Sequence, residues 1–221
     1  MKVIIEPDRA AVNEIQKQLE EMGKGKSVNR ALQKAINEVA AAGKNMLFNT
    51  TRSTYTIKPS EFKKNDIARK SATLRHLVAV VSVRGSTPGI RKGYKTKKNS
   101  KKVGAKAQIL RSGNMKELVR EQDGKSYKAF LATMKSGHEG IFQRVPGKPT
   151  KEYLKSGGKS KRKFKKPHEN KTREAIKEIM AMSKAKAAEM VYLKENMYDQ
   201  LQDEINSRMM KHMEAVIGGL K

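Results

Sequence analysis

Fifty consecutive residues, from Ile67 to Lys116, contain fourteen lysines and arginines and no acidic residue. A second acid-free segment, residues 153–168, adds seven more, so these 66 positions carry +21 of the chain's net charge of +27. Charged side chains are rarely buried unless they are paired, so most of these basic side chains should lie outside the core. We therefore expect one modest core with basic segments projecting from it.

Positive charge concentrated in this way indicates a polyanionic partner, with nucleic acid the first candidate. A merely solvated surface is the alternative, but such surfaces normally interleave acidic residues. Aromatic residues such as Tyr94 and Phe164 are few, so the segments have little with which to stack on bases. Lysine outnumbers arginine, so they also have few side chains suited to reading base edges. The pattern favours sequence-independent attraction to phosphates. The candidates for DNA contact are Arg91, Lys92, Lys95, Lys97, Lys98, Lys101, Lys102, Lys159, Lys161, Arg162, Lys163, Lys165 and Lys166.

The residues that would support catalysis or metal binding are poorly represented. The chain has no cysteine, and its four histidines show no metal-ligand spacing. Gly25-Lys26-Ser27 resembles the end of a phosphate-binding loop, but Glu20 stands where that motif requires glycine. No nucleophile-elbow pattern is present. We expect no enzyme activity, no catalytic residue, no cofactor and no metal site.

The chain is also expected to be soluble, to be made in the cytoplasm and to have no membrane partner. No apolar run approaches the roughly 18 residues that a membrane-spanning helix needs. The first residues reach Glu6 and Pro7 too early for a signal peptide.

Hydrophobic periodicity predicts helices on both sides of a β-rich middle region. Residues 3–5 are typical of an edge strand, Asp8 can cap a helix over 9–22, and Ser27 can cap a longer helix over 28–49. The apolar face predicted for this longer helix comprises Val28, Leu32, Ala35, Ile36, Val39, Ala42 and Met46. The sheet is predicted over 54–145 and 175–180, with strands near 71–83, 105–110, 115–120, 127–134 and 138–145. Basic loops are predicted over 85–104 and 146–172, where glycine and proline interrupt any regular pattern.

The strongest hairpin signal joins the last two of these strands through Lys135-Ser136-Gly137. Phe130 and Phe142 are candidates for its buried face. His138 and Glu139 lie in a Gly-His-Glu-Gly turn, where we expect His138 to make a local hydrogen bond rather than to bind a metal.

The C-terminal region allows two interpretations. Residues 174–221 could form one helix roughly 70 Å long, or a strand at 175–180 followed by a Ser183-capped helix over 184–217. Seven of the twelve methionines lie between Met180 and Met213. Methionine fills irregular cores and also forms adaptable interfaces, so both core packing and a subunit interface remain open.

The segment Ala129–Val145 resembles the central signature of the phage minor tail protein Z family, the tail-completion proteins of long-tailed phages and prophages. The matching residues are Phe130, Gly137, His138, Gly140, Phe142 and Arg144. Ala175–Ile179 resembles a later family motif, and Asn29-Arg30-Ala31 resembles the start of the family's N-terminal helix. The chain departs from the family in its lysine-rich insertion over 146–172 and in lacking a Gly-Pro pair after residue 179.

The resemblance implies one α+β domain over residues 1–221. N-terminal helices and a long C-terminal helix would pack on a mostly antiparallel sheet that carries long basic loops. Of the two interpretations of the C-terminal region, the resemblance therefore favours the strand followed by a helix. It further implies a structural virion protein at the head-proximal, or neck, end of the tail, made in the host cytoplasm during assembly. The implied partners are copies of itself in a ring, six by tail symmetry, neighbouring tail terminator, tail tube or head-tail connector proteins, and double-stranded DNA bound without sequence preference.

Two other classes of protein fit parts of the sequence. A sequence-independent nucleic-acid-binding protein of ribosomal or nucleoid type explains the charge equally well, but it explains Ala129–Val145 less well. An enzyme acting on nucleic acid would need clustered carboxylates for a two-metal site, which the sequence does not supply.

Overall fold

The computed structural model describes residues 1–6, 17, 25–100, 103–122, 124–134, 136–149 and 174–218. Within these residues the chain has an α+β fold with a C-terminal helix, as predicted. The helices are α1 (Gly25–Thr54), α2 (Ile90–Gly93), α3 (Lys184–Lys194) and α4 (Met197–Gly218), with a 3₁₀ turn at Lys64–Asp66. The predicted helix over 9–22 lies outside the described residues, apart from Lys17.

The strands are short, and every pairing recorded between them is antiparallel. They are β1 (Lys2–Ile5), β2 (Ile67–Lys70), β3 (Ala79–Val83), β4 (Lys95–Lys97), β5 (Lys106–Gln108), β6 (Lys116–Glu117), β7 (Val119–Gln122), β8 (Lys125–Lys128), β9 (Phe130–Thr133), β10 (Glu139–Pro149) and β11 (Glu174–Glu178). In the described residues they form sheets in the orders β1-β3-β2, β4-β5-β6, β7-β8 and β11-β10-β9. The predicted antiparallel pairing is therefore distributed over several small sheets.

The contacts divide the chain into two compact units. The first comprises Met1–Tyr55, Pro59–Ser86 and Ser183–Lys221, and the second comprises Thr56–Lys58 and Thr87–Met182. The expectation of a single domain remains a prediction. Among the described helices, none combines the length and the apolar composition required to cross a bilayer.

In the first unit, α1 packs on the β1-β3-β2 sheet and against α4. Leu32, Ile36 and Val39 are each no more than 1% exposed, which confirms the apolar face predicted for this helix. The sheet is likewise one-sided, because Ala79, Val81 and Val83 are buried while the residues between them are half-buried. Strand β1 lies at the edge of the sheet, as predicted.

Helix α1 begins at Gly25, so the prediction that Ser27 caps it is wrong. The helix also extends beyond the predicted end at residue 49 and includes Thr54, where the sheet was predicted to start. The Thr51 hydroxyl donates to the Leu47 carbonyl at 2.6 Å, and the Ser53 hydroxyl donates to the Thr50 carbonyl at 3.0 Å. A hydroxyl that donates to a carbonyl of the preceding turn forms its hydrogen bond within the helix. Thr51 and Ser53 can therefore continue the helix past the predicted end.

The C-terminal region forms a strand and then helices, which settles the ambiguity left by the sequence. Ser183 caps α3 as predicted, because its side-chain oxygen accepts from the Lys186 backbone N–H at 3.2 Å. The single helix predicted over 184–217 is wrong in one respect: it is interrupted at Glu195 and Asn196, where Asn196 has a φ of 51°. Asparagine tolerates this left-handed conformation better than most residues, which lets the chain change direction there.

The methionines of α4 have two different environments. Met197 and Met209 are 1% and 4% exposed, and they are buried together with Leu201 and Ile205. Met210, by contrast, is 52% exposed. The buried pair supports the core interpretation of this helix, while the interface interpretation stays a prediction for its exposed positions.

A charged cluster joins α1 to α4 in the first unit. The Glu38 carboxylate accepts from Arg208 Nη1 and is bonded to His212 Nε2, both at 3.1 Å, and Arg208 also pairs with Glu204 at 2.7 Å. The hydrogen bond with His212 is the largest influence on Glu38. With the help of Arg208, it outweighs burial and holds the pKa of Glu38 below its ordinary value of 4.5.

We expect the stabilising effect of Glu38 to disappear in acid. A carboxyl whose folded-state pKa is lowered contributes stability that is present above its ordinary pKa and is lost as the pH falls through the folded value. Glu38→Gln should therefore lower the free energy of unfolding near neutral pH and reduce its loss in acid. Urea unfolding of both proteins, from about pH 6 to about pH 3, measures this. Parallel pH profiles for the two proteins would contradict the assignment.

Candidate nucleic-acid interface

The basic region of the second unit begins with a short turn of helix fixed by Tyr94. The Tyr94 side chain is fully buried, and its hydroxyl donates to the Met182 carbonyl at 3.2 Å. The backbone N–H of Lys58 donates to Gly93 O at 2.9 Å, and its ammonium donates to Arg91 O at 2.6 Å, so Lys58 binds two carbonyls of the α2 turn. A buried Tyr94 cannot stack on a nucleic-acid base, which agrees with the small role expected for stacking.

The loop predicted over 85–104 is wrong in its middle part, because α2 and β4 lie within it. The loop predicted over 146–172 is wrong at its start, because β10 continues to Pro149, and residues 150–172 lie outside the described residues. Thr96 is half-buried between two exposed lysines, Lys95 and Lys97. It is paired with Ala107, which is 4% exposed. This alternation matches a small antiparallel sheet with one solvated face. Strand β4 was not predicted because its sequence is rich in lysine.

The solvated face of this sheet carries Lys95, Lys97 and Lys106, which we call the lysine face. Lys97 is directly opposite Lys106, and Lys95 is directly opposite Gln108. Directly opposed residues of an antiparallel pair project from the same side of the sheet, with Cβ atoms about 5 Å apart. The register therefore brings three ammonium-bearing side chains from two strands onto one surface.

The lysine face contains a repulsive contact and one neighbouring acid. Like charges directly opposite each other destabilise a strand pair, so the Lys97–Lys106 pairing opposes folding. Lys106 is also directly opposite Glu117 of β6, the strand on the other side of β5. The Glu117 carboxylate also accepts from the Gly104 backbone N–H at 2.5 Å. A destabilising pair kept on the surface is typical of a functional site, where local stability is given up for binding.

Lys97→Glu is expected to stabilise the protein while it weakens binding to DNA. The substitution replaces a like-charge pair with an opposite-charge pair, a gain of ~0.2–1 kcal/mol. It also removes a cation from the proposed contact surface. Thermal unfolding and fluorescence anisotropy with duplex DNA measure the two effects. Lys211→Glu is the control, because Lys211 is an exposed residue of α4 and the substitution makes the same change in charge. It should change neither the thermal stability nor the DNA affinity strongly. Loss of stability in Lys97→Glu would contradict the register argument.

The described basic residues of 67–116 all reach the surface. Ten of the twelve are exposed, and Arg91 and Lys106 are half-buried. Arg91 forms an ion pair with Glu139 at 2.6 Å, so this DNA-contact candidate is already partly neutralised. Lys92, Lys95, Lys97 and Lys98 are exposed. The remaining candidates lie outside the described residues: Lys101, Lys102, Lys159, Lys161, Arg162, Lys163, Lys165 and Lys166.

The predicted hairpin forms, and Gly137 explains its turn. Gly137 has a φ of 81°, a left-handed conformation that favours glycine. Phe130 is directly opposite Phe142, and the latter is 6% exposed. The predicted buried face is thus confirmed for Phe142, while Phe130 is half-buried.

Glu178 of β11 is bonded to His138 and lies close to Gly140. The His138 ring bonds to the Glu178 carboxylate at 3.0 Å and meets the Phe142 ring edge-on at 6.3 Å. The expected local bond of His138 is therefore wrong, since its partner is forty residues away along the chain. A Cβ on Gly140 would lie 2.7 Å from Glu178 Oε1, and one on Gly89 would also clash with it. The two glycines leave space for this carboxylate, whereas Arg144 is exposed.

Lys106 is not among the candidate DNA-contact residues predicted from the sequence, because residues 105–110 were predicted only as a strand. Its place on the lysine face depends on register, which a single sequence does not reveal. In the described part of the chain, no group of three or more histidine, cysteine, aspartate or glutamate side chains is arranged to hold a metal ion. The histidine–glutamate contacts found there, at Glu38 and at Glu178, are pairs within hydrogen-bonded networks.

No protein-family model, curated protein or solved structure matches this chain. Its function has therefore to be argued from the lysine face and the hairpin themselves.

Proposed function

We propose that this chain is a structural virion protein that completes the head-proximal, or neck, end of a long phage tail. Copies of it form a ring, six by tail symmetry, and meet other tail or neck proteins such as the tail terminator, the tail tube or the head-tail connector. The basic segments contact the double-stranded DNA that passes through the ring. The protein acts in the virion after assembly in the host cytoplasm, without catalysis.

The proposed contact with DNA rests on the lysine face. Lys95, Lys97 and Lys106 share one surface of a three-stranded sheet despite the repulsion between Lys97 and Lys106. Lysine provides a compact charge on a flexible stem, without the planar fork that arginine uses for bidentate recognition. Contacts of this kind hold a phosphate backbone without reading its sequence, and a conduit for DNA needs attraction of that kind.

The assignment to a phage tail rests on the hairpin resemblance. Three of its six residues meet clear structural requirements: Gly137 is left-handed, Phe142 is buried, and Gly140 leaves space for Glu178. The ring is proposed from the symmetry of tails, since head-to-tail interfaces form a ring when the rotation between copies closes. Each copy then adds its own basic segments to a common lumen.

A sequence-independent nucleic-acid-binding protein of ribosomal or nucleoid type is the second candidate, because the lysine face serves it equally well. The two functions differ in assembly. A ring subunit associates with copies of itself, whereas the second class acts as a monomer or dimer on free nucleic acid.

The native mass of the purified full-length protein, with and without duplex DNA, tests the proposal. We expect a closed oligomer, a hexamer by tail symmetry, in the presence of its tail partners or at high protein concentration. A protein that stays monomeric or dimeric under these conditions, while binding free duplex tightly, would favour the second candidate.

A further inference from the structure

A groove runs along the polar side of α1 in the first unit. Arg30, Lys34 and Arg69 line it with cationic side chains, and its other lining residues are Gln33, Asn37, Glu38 and Ala41. All three cations are exposed, and Arg30 and Lys34 belong to neither acid-free segment. The groove is therefore a basic surface that the charge distribution of the sequence does not indicate.

Helical spacing brings Arg30 and Lys34 to the same side of α1. Residues four apart are neighbours on a helix surface, with Cβ atoms about 5–6 Å apart. Asn37 continues this row at the i+7 position, whereas the buried Ile36 and Val39 lie on the other side of the helix. The two cations of α1 are therefore adjacent members of one polar row.

Strand register places Arg69 on the side of the sheet that faces α1. Arg69 of β2 is directly opposite Val81 of β3, and directly opposed residues project from the same side of a sheet. Val81 faces α1, because it lines a small apolar cavity together with Leu47 of that helix. The Arg69 guanidinium donates to the Asn37 backbone carbonyl at 3.3 Å, so it lies against the polar row.

Hydrogen bonds join the two walls of the groove. Gln33 Nε2 and Asn37 Nδ2 donate to the Ala72 carbonyl at 3.1 and 3.2 Å, and the Ala72 N–H donates to Asn37 Oδ1 at 2.8 Å. These bonds hold the segment that follows β2 against the helix. None of them uses a charged side chain, so the shape of the groove does not depend on its three cations.

The charge of this groove is not neutralised from within. Among the described residues that line it, Glu38 is the one acid. Its carboxylate accepts from Arg208 and is bonded to His212, both at 3.1 Å. The three cations of the groove form no ion pair with any described residue. They therefore face solvent beside a carboxylate whose charge is already engaged by α4.

We infer that this groove binds consecutive phosphates of one DNA strand. Asn37, whose carbonyl holds Arg69, lies two helical turns after Arg30, a distance of roughly 10 Å at about 1.5 Å per residue. One strand of a duplex carries a phosphate about every 3.4 Å along its axis, so about three phosphates span the same distance. Three cations in a row over this length match an extended polyanion better than a single small anion.

The size of the groove agrees with this ligand. Its volume is about 400 Å³, which leaves space for a row of phosphates with water between them, since one water occupies roughly 30 Å³. Arginine and lysine supply the charge-assisted donors that phosphate oxygens accept.

The inference rests on the proposed contact with DNA and assigns part of that contact to the first unit. The lysine face belongs to the second unit, so each copy has a contact surface in each of its two units. Contacts to phosphates position a duplex without reading its sequence. The groove therefore adds positioning on a folded helix to the attraction supplied by the basic segments.

Duplex binding by the full-length protein, followed by anisotropy over a salt series, tests the groove. The double variant Arg30→Gln, Lys34→Gln should weaken binding about tenfold at about 0.1 M salt and reduce the salt slope by about two, because two phosphate contacts are lost. Both side chains are exposed, so thermal unfolding should change little. The matched control is Lys64→Gln with Lys194→Gln, which removes the same charge from exposed positions outside the groove and should have little effect.

Two results would overturn the inference. One is that the groove variant and its control bind the duplex equally well. If Lys97→Gln still weakens binding in that case, only the groove assignment fails, and if it does not, the DNA contact fails as well. The other is that the groove variant keeps its duplex affinity but has a lower native mass than the original protein. The groove would then hold an acidic segment of another copy rather than DNA.

Discussion

Replacing Lys95, Lys97 and Lys98 with glutamine is expected to weaken duplex DNA binding roughly a hundredfold at about 0.1 M salt. Each lost phosphate contact removes a counterion-release contribution, so the salt slope should fall by about three. All three side chains are exposed, so the variant should fold normally. Anisotropy with labelled duplex, repeated over a salt series, measures both the affinity and the slope.

A matched triple variant shows whether DNA affinity depends on where the lysines lie or only on the net charge of the protein. Lys64, Lys194 and Lys211 are also exposed, and they lie outside both acid-free segments. Changing these three to glutamine removes the same charge and should lower affinity only weakly. Equal losses in the two triple variants would show that the protein responds to its total charge and that β4 has no special place in binding.

Tyr94→Ala is expected to have the largest effect on stability, with a loss of about 3–5 kcal/mol in the free energy of unfolding. Tyr94 is among the largest fully buried side chains of the described chain. It ends the α2 turn and immediately precedes β4. Removing its ring leaves a cavity beneath the strand that carries Lys95 and Lys97. Urea unfolding monitored by circular dichroism measures the loss.

Tyr94→Phe distinguishes the ring from the hydroxyl. It keeps the buried ring and loses the bond to the Met182 carbonyl, so it should cost about 1 kcal/mol. DNA binding by this variant should stay close to that of the original protein. If Tyr94→Ala were as stable as Tyr94→Phe, the turn before β4 would not depend on this side chain.

Long elements with clear periodicity could be predicted from the sequence. The apolar face of α1 at Leu32, Ile36 and Val39 and the Ser183 cap of α3 were identified correctly. The hairpin through Gly137 was also found. In each case, residues within one element or one turn contain the whole signal.

Features set by tertiary contacts could not be predicted. Strand β4 was hidden because its sequence is Lys-Thr-Lys, and only the buried Ala107 opposite Thr96 makes that alternation meaningful. The break at Asn196 interrupts a periodicity that continues into α4. The pairing of Arg91 with Glu139 depends on how α2 packs against β10, and the position of Lys106 opposite Lys97 depends on strand register. Register is decided by neighbouring strands, about which a single sequence says little.

Electron microscopy of the assembled tail, with this protein labelled, tests the central proposal most directly. The proposal predicts a closed ring at the head-proximal end, with density for DNA in its lumen and the lysine face of each copy turned toward that density. The absence of the protein from the tail, together with isolated monomers or dimers coating free duplex DNA, would contradict it.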